Sequence, residues 1–117
     1  MKITTRSKTR LQRQYQALRQ LGKTKHKKLR SAILKKGGNE LITCLCECGL
    51  NIIKGHVPLT KAQFKKLKRL RRPLQQIANK KISLKKKRRV LEQKGGFFLP
   101  SLLAPIIGVL AKSVLGL

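Results

Sequence analysis

A chain of 117 residues with 30 Lys or Arg, three acidic residues and no Asp carries a formal charge of +27. The length allows one small domain at most, and the charge cannot be neutralised internally, so such a chain repels itself when compact and seeks a polyanion. An enzyme is not expected: Glu40, Glu47 and Glu92 are the only acidic side chains, His26 and His56 stand apart, no nucleophile–base–orienter set can be proposed from spacing, and nothing supports a Cys–His pair using Cys44 or Cys48.

The apolar residues, 40% of the chain, are unevenly placed, and the last 21 positions hold a large share of them. Outside them two or three small helical packing units are expected rather than a deep core, with marginal order in the absence of a partner. The N-terminus is polar and basic with no apolar stretch behind it, so no signal peptide is expected. Three cysteines within five residues do not form a disulfide framework, and a reducing site inside the cell is the simpler expectation.

Chain order gives an all-α reading: short amphipathic helices, a flexible basic N-terminal region and an apolar C-terminal helix or tail. Leu11, Tyr15, Leu18 and Leu21 define one helical stripe, so residues 8–21 read as a basic amphipathic helix ending at Gly22. A short helix over 28–35 follows, closed by Gly37-Gly38. Residues 39–54 form a nearly uncharged helix with Asn39 at its N-cap; being apolar on most of its surface, it needs cover from other helices or from a second copy through residues 41–53. Thr60 and Gln63 make a capping box with Leu59 and Phe64 as a staple, and Phe64, Leu67, Leu70, Leu74 and Ile77 run down one face. Pro73 ends or kinks that helix near Arg72, and Ser83 caps a last short helix from Leu84 to about Gln93. Three regions result: a basic arm over 1–38, a helical basic region over 39–94, and a Gly-Gly boundary with a hydrophobic tail over 95–117.

The basic runs carry the chemistry. Lys65, Lys66, Lys68, Arg69, Arg71, Arg72, Lys80, Lys81, Lys85, Lys86, Lys87, Arg88 and Arg89 place 13 charges within 25 residues. The chain holds too few acids anywhere to balance them, so they are the candidate phosphate contacts. With so few aromatics, stacking platforms for single strands are not expected, and sequence-neutral binding to duplex is favoured over structured RNA. Residues 85–89 also match a nuclear import signal. The run Cys44-x-Cys46-x-Cys48 cannot close a tetrahedral site from one helix, because Cys46 points away from the other two, so no metal or other cofactor is expected. For the tail three readings stand: a membrane span, a helix from about Leu102 packed on the other helices, and an interfacial segment with Lys112 reaching the head groups.

The segment Gly95-Gly-Phe-Phe-Leu-Pro-Ser-Leu-Leu-Ala-Pro-Ile-Ile-Gly108, behind a Lys-rich run, resembles the adenovirus core protein X family, the precursors of the DNA-condensing peptide mu. It is closer still to the small basic proteins of Maverick/Polinton elements and adintoviruses, where the likeness runs over about residues 35–117. The resemblance implies a virion core protein that binds and condenses double-stranded viral DNA and enters the host nucleus or nucleolus. It also implies protease cleavage at Gly96–Phe97, although Gln93 departs from the family's usual residue there. Two other functions remain open: a membrane-active or membrane-anchored cationic protein meeting anionic lipid through its tail, and an RNA-packing protein of ribosomal type.

Overall fold

The N-terminal stripe is already a packing surface. The Thr4 hydroxyl accepts the Ser7 N–H at 3.1 Å and caps α1 (Thr5–Lys23), along which Leu11, Tyr15, Leu18 and Leu21 are buried. The helix therefore starts three residues before the expected 8–21, at a cap that the apolar spacing does not reveal. The structure is a computed structural model describing Met1 and residues 3–115, with the side chains of 1 and 3–113; Gly116 and Leu117, the end of the expected tail, lie outside the described residues.

α2 (Lys27–Ile53) joins the two helices expected on either side of Gly37-Gly38. The joint is real: Gly38 has φ 61° and ψ −153°, a backbone that a Cβ would oppose, and the helix kinks there. The second limb buries Leu41, Ile42, Cys44, Leu45, Cys48 and Ile52. Its cover comes from α1, α4 and α5 of the same chain, while Ile53 stays half exposed.

α3 (Lys61–Arg69) begins at the expected capping box: the Thr60 hydroxyl accepts the Gln63 N–H at 3.1 Å, and the Gln63 side-chain Oε1 accepts the Thr60 N–H at 3.0 Å. Phe64 departs from its expected core face and is 58% exposed; Leu67 makes the buried contact instead. The break expected near Arg72 comes at Leu70 (φ −100°, ψ 19°), and α4 (Arg71–Ala78) carries Pro73 in its first turn, where the missing N–H removes no intrahelical bond.

α5 (Leu84–Leu115) departs furthest from expectation. Ser83 caps it as expected, its hydroxyl accepting the Lys86 N–H at 3.2 Å. The helix then continues through Gly95-Gly96, Pro100 and Pro105 instead of stopping at about Gln93. The glycines serve packing rather than a chain break. Arg30, 4% exposed, crosses α5 at this point and donates to the Glu92 carbonyl at 2.9 Å. A Cβ on Gly95 would stand 2.6 Å from its Cδ.

The tail is thus the central helix. Phe98, Leu99, Leu102, Leu103, Ile106 and Leu110 are fully buried, and the α1–α5 seam is the most extensive helix pairing. One cluster gathers apolar side chains from all five helices, so the core is deeper than composition suggested. The radius of gyration, 12.8 Å, is that of a compact chain of this length. By length and composition α5 could cross a membrane, but those six side chains face the protein core.

Candidate nucleic-acid interface

The cations follow from helix geometry. Once Leu67, Leu74 and Ile77 turn inward, Lys65, Lys66, Lys68, Arg69, Arg71 and Arg72 are left in solvent. Lys65, Lys68, Arg69 and Arg71 line one shallow groove of about 500 Å³ across the α3–α4 break. Lys85, Lys86 and Arg89 line a second of about 440 Å³ on the first turns of α5. Lys80 and Lys81 are exposed in the connection before α5.

Two of the expected contacts are placed differently. Arg88 is half-buried, and Lys87 is 4% exposed, turned inward beside Cys46. Five consecutive cations on a helix cannot all face solvent when an adjacent stripe must pack, and 100° per residue sends Lys87 to the inner side. Lys87 is therefore a buried lysine, not one of the cations that the run presents on its solvent face. Lys54 after α2, Lys61 in the first turn of α3 and Lys94 beyond the basic run of α5 are exposed cations that sequence reasoning misses. Each is a single charge outside a run, so composition does not flag it.

Pairing is sparse. The Arg13 guanidinium donates to both oxygens of Glu40, at 3.0 and 2.7 Å, and Gln14 adds a third hydrogen bond at 3.0 Å. Arg13 first, then Gln14, holds the Glu40 carboxyl at about 2, well below its ordinary 4.5. Arg10 donates to Glu47. Both pairs tie α1 to α2 and draw no cation from the α3–α5 runs.

The dipoles sharpen the contrast between those runs. Lys66, Lys68 and Arg69 occupy the last turn of α3, where the partial negative charge of the helix end favours them. Lys85, Lys86 and Lys87 sit at the start of α5 with no acid in the first turn, where the dipole opposes them. Stability alone does not account for cations there; an external anion would relieve them.

The remaining chemistry is quiet. Burial pushes the Cys44 thiol up to about 12 and the Cys48 thiol higher still, and it raises Cys46 against the opposing ammonium of Lys87. Buried, protonated thiols are unreactive packing groups. Among the described residues no three His, Cys, Asp or Glu side chains come together as a metal site. The Gly96–Phe97 bond lies within α5; Gly95 is buried, Gly96 half-buried and Phe97 83% exposed, so a protease needing extended backbone would first have to unwind the helix. No family model, curated protein or solved structure matches the chain.

Proposed function

We propose that the protein binds and condenses double-stranded DNA through its phosphates, without reading bases, as a virion core protein resembling the adenovirus protein X and Maverick/Polinton basic proteins, acting in the virion and the host nucleus or nucleolus. One observation carries the reading: a compact fold leaves a charge of +27 almost wholly uncompensated, with exposed cations on every one of its five helices. A body about 30 Å across that is cationic on all its elements can touch more than one duplex, which condensation requires. Tyr15 and Phe98 are buried, leaving Phe64 and Phe97 as the exposed rings, too few for base stacking along a single strand.

The membrane reading would require α5 to withdraw six fully buried apolar side chains from the core. Its cost is that of unfolding the domain. Competition binding tests the proposal: two duplexes of unrelated sequence should compete equally and better than a structured RNA of equal length. A clear preference for the RNA would replace duplex condensation with RNA packing.

A further inference from the structure

Between the start of α1, the C-terminal limb of α2 and the entry to α5 lies a cleft of about 700 Å³. Its size is that of a small-molecule site. Arg10, Lys54, Lys80 and Lys87 line it, against a single lining carboxylate, Glu47, which Arg10 engages. Three positive charges are left in excess. The caps of two helices meet there as well, Thr4 of the 19-residue α1 and Ser83 of the 32-residue α5, so two positive dipole ends add to the side-chain charge.

Lys87 is the independent pointer. It lines the cleft while only 4% exposed, and among the described residues no carboxylate pairs with it; its neighbour is the Cys46 thiol. A buried ammonium without a counter-charge is costly unless an anion reaches it. Arg10 adds a buried Nε with no hydrogen-bond partner.

We propose that this cleft is an anion site that takes one phosphate group, held by Lys87 at its floor and by Lys54 and Lys80 at its rim. The Ser83 hydroxyl stands within the same lining, accepts the Lys86 N–H and keeps its own proton to donate to an oxyanion. Leu50 and Ile82 give the cleft apolar wall, which suits a phosphate ester more than a bare ion. The site does not depend on the α3–α4 groove, so it stands or falls separately from duplex condensation.

The test is titration of the full chain with inorganic phosphate at constant ionic strength, followed calorimetrically. The expected result is saturable binding at one site, weakened about tenfold or more by Lys87→Met and by the rim pair Lys54→Gln/Lys80→Gln, and unchanged by Lys65→Gln/Lys68→Gln in the distant groove. If Lys87→Met fails to fold, the exposed rim pair alone decides. Non-saturating binding, or equal weakening in the groove control, overturns the proposal. Repeating the titration with duplex bound identifies the source: phosphate excluded by duplex means the site takes a backbone phosphate, and phosphate still bound means it takes a free ester.

Discussion

The two limbs of α5 share one backbone conformation and have opposite chemistry. Residues 84–94 present Lys85, Lys86 and Arg89 to solvent, whereas residues 95–115 bury Phe98, Leu99, Leu102, Leu103, Ile106 and Leu110. The sharpest composition change in the chain, at Gly96, is therefore no boundary in the fold. The basic limb is positioned by the apolar one: anchoring residues 95–115 against α1 fixes where the cations before them point.

Cutting the chain between the limbs gives the largest effect. A protein ending at Gly96 loses all six core side chains and should show no cooperative thermal transition; a sharp transition near that of the full chain would mean the limbs are separate units after all. Within the apolar limb, Leu102→Ala should cost about 2–5 kcal/mol in denaturant unfolding. At the joint, Gly95→Ala drives a Cβ to 2.6 Å from Arg30 and should cost about 1–3 kcal/mol. The double change Gly95→Ala/Arg30→Ala should recover part of that stability, because it removes the obstructing side chain.

The basic limb should answer in binding without any loss of stability. Lys85→Gln/Lys86→Gln/Arg89→Gln removes two cations that the α5 dipole opposes and should raise the unfolding free energy by about 0.5–2 kcal/mol at low salt. It should lower the salt slope of duplex binding by about 0.9 for each phosphate that the variant no longer neutralises. The smallest effect concerns Glu40. Its carboxyl is held at about 2 in the fold against an ordinary 4.5, so its contribution is present above that ordinary value and disappears as pH falls from 4.5 through 2. Acid titration of Glu40→Gln beside the parent chain should show a shallower loss of stability across that window.

Much of the helix layout was legible. The Leu11–Tyr15–Leu18–Leu21 stripe, the Thr60–Gln63 box, the Ser83 cap and the break at Gly38 are local signals that the fold leaves intact. The role of Gly95-Gly96 was not legible, because it depends on Arg30, a residue distant in sequence that crosses α5. Phe64 and Lys87 were misplaced for a related reason: each sits where helical spacing allows two orientations, and tertiary packing chose the other one. The phosphate cleft is still less visible, since Arg10, Lys54 and the pair Lys80 and Lys87 come from three separate stretches of chain. The charge itself was legible from composition, but its exposure on all five helices was not.

Duplex binding across a salt series tests the central claim most directly. With half a dozen or more phosphates engaged, log affinity should fall linearly with log salt and drop by about 10³ or more between 50 and 200 mM, alike for unrelated sequences. An affinity that barely changes over that range, or that depends strongly on sequence, would contradict binding through the phosphate backbone.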